Sequence, residues 1–145
     1  MKTTTIVRLA AVVAAGLSLN LSLSGAAQAH DIAQDGKEAR AVLQMKQLPD
    51  VPKTKGLMAT VTYAPGQKSI PHRHPGSVFA YVVEGEVISK LDDGPEITYK
   101  VGDSWYESPG MRHVVSRNAS STKPAKLVVV ILLPDGSELV EPLPK

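Results

Sequence analysis

Apolar positions between residues 41 and 133 fall in short runs, each closed by a turn signal. The runs cover 41–48, 57–64, 69–74, 78–83, 86–91, 96–100, 104–107, 113–117 and 126–133, and many of their residues are β-branched. Between them stand Pro49-Asp50-Val51-Pro52, Pro65-Gly66, Pro75-Gly76, Glu84-Gly85, Val101-Gly102 and Pro109-Gly110. Segments this short, punctuated this often, predict strands rather than helices. Beyond residue 29 no amphipathic helical stretch runs for more than a few turns. The pattern predicts an all-β fold, a single antiparallel β-barrel or jelly roll. After Pro134-Asp135-Gly136, residues 137–140 offer one more edge strand.

Residues 1–29 carry a different pattern. Lys2 and Arg8 precede an apolar run from Leu9 to Leu23, and Ala27-Gln28-Ala29 follows as a small-x-small site. This is the form of a cleavable signal peptide, and the run is too short and too rich in Ala and Ser for a ~20-residue membrane span. The expected organisation is a signal peptide at 1–29, a polar arm at 30–40 and one β-domain at 41–145. The expected address is periplasmic or secreted, with no membrane contact after cleavage.

Composition narrows the chemistry. The 145 residues contain no cysteine, which excludes disulfides, thiolate metal sites and Cys nucleophiles. Only six aromatics occur, so Val, Ile, Leu and Ala must build the core. Of 16 basic residues, Lys2 and Arg8 lie in the leader, leaving 14 against 14 acidic ones from His30 onward. A neutral domain without a Lys/Arg cluster argues against nucleic-acid binding.

Two stretches concentrate candidate chemistry. In Ile70-Pro71-His72-Arg73-His74-Pro75-Gly76 each residue before a proline is pushed to extended geometry. Residues i and i+2 of an extended segment share a face, so His72 and His74 stand side by side, as two ligands of one metal or as part of a solvated loop. Arg73 points the other way. The second stretch runs from Gly102 through Trp105, Tyr106, Glu107 and Pro109-Gly110 to Arg112 and His113.

Taken together, the two stretches resemble the paired motifs of the cupin superfamily in its small single-domain form. Gly66, five residues, His72-x-His74 and then Gly85 match the first motif; Gly102, Gly110 and His113 match the second. Three positions depart from it. The glutamate that usually joins the histidines falls on Val78, the first turn proline on Ser108, and the asparagine after the last histidine on Arg117, with Asn118 one place late. The resemblance spans 41–133 and implies one divalent metal held by His72, His74 and His113, and a homodimer.

A three-His site leaves coordination positions open, as catalytic metal sites require. Imidazole suits Fe, Zn, Mn, Ni or Cu, which the residues do not distinguish. Some cupin thiol and diketone dioxygenases use such a triad, which favours Fe and a dioxygenase-like activity on a small molecule. Glu107 is a candidate fourth ligand or base, and Tyr106 a candidate proton donor. Trp105 and Val78 are candidates for the pocket wall. Arg117 shares parity with His113 and is a candidate for holding a substrate carboxylate. The alternative is a non-catalytic barrel that binds or senses a small molecule in the periplasm.

Overall fold

The computed structural model describes residues 30–31 and 38–144; the leader and most of the expected arm lie outside the described residues. Eleven strands follow in chain order: β1 (His30–Asp31), β2 (Ala39–Gln47), β3 (Thr54–Tyr63), β4 (His72–Arg73), β5 (Ser77–Glu84), β6 (Glu86–Leu91), β7 (Ile97–Lys100), β8 (Ser104–Glu107), β9 (Arg112–Asn118), β10 (Ala125–Pro134) and β11 (Glu141–Pro142). They form two antiparallel sheets, ordered β1-β2-β3-β10-β5-β8 and β11-β4-β9-β6-β7. The chain crosses repeatedly between sheets, which is the jelly-roll form of the expected all-β fold.

Period-two alternation decides which side chains enter the core. Along β10, Ala125, Leu127, Val129, Ile131 and Leu133 are buried, while the residues between them are partly open. On β5, Val78, Ala80 and Val82 are buried and Phe79 and Tyr81 face out. Cross-strand register aligns these inward positions in rows: Leu57, Ile131, Val78 and Glu107 form one; Val42, Ala59, Val129, Ala80 and Trp105 form the next. The second row is closed by an indole and the first by a carboxylate.

Two turns position the histidine segment. Gly76 follows His74-Pro75, and a Cβ there would lie 1.9 Å from the Leu132 carbonyl oxygen, so only glycine lets β5 start against β10. Gly110 adopts φ +76° between β8 and β9, and its N–H donates to the His74 carbonyl at 2.8 Å. The Pro109-Gly110 turn is thereby tied to the HxH segment.

The expected strands recur with shifted ends, and two elements differ. The extra strand after Gly136 is β11, at Glu141–Pro142 rather than 137–140, because it pairs with β4 through Arg73 and His72. The expected polar arm at 30–40 already contains β1 and the start of β2, and Glu38 and Arg40 are buried.

Candidate metal and ligand site

His72 and His113 are directly paired residues of β4 and β9, and both are buried. Their ring centroids are 5.2 Å apart, and the His74 ring stands edge-on to His72 at 5.0 Å. The His72 Nδ1 bonds the Ile70 carbonyl and the His74 Nδ1 bonds the Leu139 carbonyl, each at 2.7 Å. A carbonyl only accepts, so both Nδ1 atoms carry the proton and both Nε2 atoms keep a lone pair. Burial lowers the pKa of His72 to about 4, helped by His113, and lowers that of His74 against its backbone bond. Both rings are therefore neutral at ordinary pH, which is the ligating form.

Glu107 ends β8 with its side chain inward and buried. The Trp105 indole donates to Oε1 at 2.9 Å, and His113 Nδ1 lies 3.2 Å from the same oxygen. Burial alone pushes the carboxyl up, but the bonds and charge of His113 and the indole bond outweigh it and hold Glu107 below the usual carboxylate range. Its Oε2 is buried with no hydrogen-bond partner among the described residues. A buried carboxylate oxygen left this way is costly, and the cost falls away when a cation or a proton donor meets it.

These groups line a cavity of about 60 Å³ whose other walls are largely apolar, including Val78, Ala80, Leu57 and Ile131. The donor chemistry suits a divalent ion. So does the ring spacing: with metal–nitrogen bonds of about 2.1 Å, two imidazoles at roughly 90–109° place their centroids about 4.5–5.2 Å apart. Orientation is the exception, because His113 Nε2 is bonded to the buried Ser89 Oγ at 2.8 Å and its Nδ1 faces Glu107. As placed, no group of three or more His, Asp or Glu side chains among the described residues is arranged to hold a metal ion. His72 Nε2, His74 Nε2 and Glu107 Oε2 are the atoms with coordination capacity to offer; His113 would join them by giving up its Ser89 bond.

Residues 59–131, half of the chain, match the family model of the cupin domain. The chain belongs to the cupin family. None of the curated proteins compared matches it. Among solved structures it is similar to a conserved double-stranded β-helix protein of Klebsiella pneumoniae, at 21% identity and TM-score 0.59 over 77% of this chain and 90% of that one. It is also similar to an RmlC-like cupin of Shewanella frigidimarina, at 22% identity and TM-score 0.57 over 76% and 87% of the two chains. A predicted oxalate decarboxylase of Thermotoga maritima gives 23% identity and TM-score 0.56 over 68% and 83%. At these identities the likenesses establish the fold.

Two departures from the cupin motifs acquire a structural meaning. Val78, which stands at the cupin glutamate position, is the direct cross-strand partner of Glu107. A carboxylate is thus present one strand over, about 4.8 Å along the sheet from the expected place. The late asparagine has its own cause. Lys90 pairs with Val115 but Leu91 pairs with His113, so Val114 is an extra residue, a β-bulge. Everything after it is delayed by one, and Asn118 turns inward to donate to the Lys123 and Ala64 carbonyls.

That bulge corrects the expectation for Arg117. Its guanidinium points out of the core and pairs with Glu96 at 2.9 Å, both side chains being exposed. Tyr106 is corrected too: it lies on the outer face, nearly half exposed, stacked on Phe79 and bonded to the Ser77 hydroxyl at 3.0 Å, where it cannot pass a proton into the cavity. Trp105 and Val78 do line the cavity, and Trp105 also stacks on Tyr99 with centroids 4.6 Å apart. Arg73 points outward to Glu141 at 2.7 Å, as strand parity requires.

Sequence reasoning missed three features. Arg40 lines the cavity, and it is ion-paired to the buried Glu38. Its charge is among the causes that lower the His74 pKa. The Tyr63 hydroxyl bonds both Ser69 and Ser116 at 2.8 Å, linking the two sheets inside the core. Ser89 holds His113. No local motif marks any of these, but the inward parity of β2 from Val42 would have reached Arg40 had the strand been started two residues earlier.

Proposed function

We propose that this cupin is an exported small-molecule metalloenzyme of dioxygenase-like type, with a divalent ion, Fe favoured, held by His72, His74 and His113 and assisted by Glu107. The observation that carries the reading is the unpartnered Glu107 Oε2, buried in the same apolar cavity as two imidazoles whose lone pairs are fixed on Nε2. A bound divalent ion supplies a Lewis acid with open positions for substrate and O₂.

The chain's own residues do the rest. The Ile70 and Leu139 carbonyls hold the tautomers and orientations of His72 and His74. The Trp105 indole fixes Glu107, leaving Oε2 to ligate or to accept a proton from substrate. Val78, Ala80, Leu57 and Ile131 exclude bulk water and strengthen every charge interaction inside. Homodimer formation belongs to the same proposal, supported by the exposed Phe79, Tyr81 and Tyr106 on the outer sheet face.

A second reading, a periplasmic barrel that binds or senses a small molecule, is favoured by one observation: with Tyr106 facing outward, Glu107 is the one carboxylate lining the cavity. O₂ uptake by the Fe-loaded protein against thiols, diketones and phenolic acids separates the two. The enzyme reading expects turnover with at least one class, lost in Glu107→Gln and His74→Ala. Tight ligand binding without O₂ uptake by the loaded protein would leave the binding barrel.

A further inference from the structure

Arg40 is the one cationic side chain that lines the cavity, and its side chain is only 9% exposed. It enters from the β2 side, whereas His72, His74 and Glu107 enter from β4, its following turn and β8. Burying a guanidinium beside Val42, Val61 and Leu127 is expensive, and an apolar residue at that position would pack at least as well. Glu38 offsets part of the cost by direct ion pairing. A planar guanidinium carries five N–H donors and can engage carboxylates on more than one edge, so Glu38 orients the group without defining all it can hold.

We propose that Arg40 is the docking residue for the carboxylate of a small aliphatic acid bound in the barrel cavity, which makes small monocarboxylates the ligand class of the site. The inference rests on the reading of this cavity as the functional site. The carboxylate lies on Arg40 and the rest of the ligand extends along the apolar wall toward His72 and His74. A cavity of about 60 Å³ admits a handful of waters or an acid of roughly four to six non-hydrogen atoms. The role that sequence parity assigned to Arg117 falls to Arg40.

Sodium propanoate and its uncharged isostere propanamide are the probes. Each is titrated into metal-free protein while the Trp105 indole N–H is followed by NMR, since that group lines the cavity. Propanoate is expected to shift the signal saturably and to bind at least about tenfold more tightly than propanamide, the ordinary value of a charge-assisted bond. The same preference is expected in the His72→Ala/His74→Ala variant, and Glu38→Gln, which keeps the guanidinium and removes its competitor, is expected to tighten propanoate several-fold. Glu38→Gln/Arg40→Gln is expected to abolish the preference. Equal binding of the two probes, or propanoate binding that Arg40 removal leaves unchanged, overturns the inference. Failure of the metal reading alone looks different: the protein takes up no ion, yet the Arg40-dependent preference for propanoate remains.

Discussion

Strands β8 and β9 flank the same turn and obey different rules. β8 is regular, and its alternation places Trp105 and Glu107 inside and Ser104 and Tyr106 outside. β9 begins with His113 inside, then spends an extra residue at Val114, so Ser116 and Asn118 turn inward and Arg117 turns out. Parity from sequence is therefore a sound guide to side-chain direction only as far as the next bulge. The bulge is what lets one strand offer both an imidazole to the cavity and a hydroxyl to Tyr63.

Removing the bulge is the strongest way to break this contrast. Deleting Val114 would restore period two, drive the Arg117 guanidinium into the core and take Ser116 from Tyr63. We expect no cooperative thermal transition by circular dichroism; a native-like melt would show that the bulge is dispensable. Next in size comes the contrast within β8. Trp105→Ala should cost about 3–5 kcal/mol, as large aromatic truncations in cores do, whereas Tyr106→Ala should cost about 1 kcal/mol or less. Urea unfolding of both variants measures the difference, and equal losses would contradict the assigned faces.

Glu107→Gln removes a charged acceptor from Trp105 and His113 and should cost about 1–3 kcal/mol in the metal-free protein at neutral pH. It should also change the pH profile. His72 is depressed in the folded state, so the unfolded chain binds more protons below about 6.5 and stability falls as pH drops from there toward about 4. The depressed Glu107 acts in the same direction below the ordinary carboxylate range. Wild-type protein should lose stability across both windows, and the Gln variant should keep the His72 window while losing the more acid one. The smallest effect belongs to Arg117→Ala, an exposed ion pair worth about 0.5 kcal/mol or less, with propanoate binding unchanged.

What was legible in the sequence follows the same physics. The all-β fold was visible because glycine and proline turns bound each strand, and the HxH pair was visible because two prolines force that segment to be extended. Glu107 could be placed on the inner face since β8 is too short to drift. Arg117 and Tyr106 were misplaced for distinct reasons. A bulge leaves no mark in the residues around Val114, and an amphipathic Tyr beside Trp and Glu gives no sign of which neighbour turns in. Arg40 and Glu38 were passed over because two charged residues in a polar stretch look solvated until their mutual pairing is seen. The change of carboxylate from the Val78 position to Glu107 required cross-strand register, which sequence order does not contain.

The central claim is that the His72–His74 pair holds a metal ion. Elemental analysis of protein purified from a periplasm, beside the His72→Ala/His74→Ala variant, tests it most directly. The account predicts about one equivalent of a divalent ion per chain, Fe favoured, and its loss in the folded variant. Folded wild-type protein that carries no ion and takes none up on addition would contradict it.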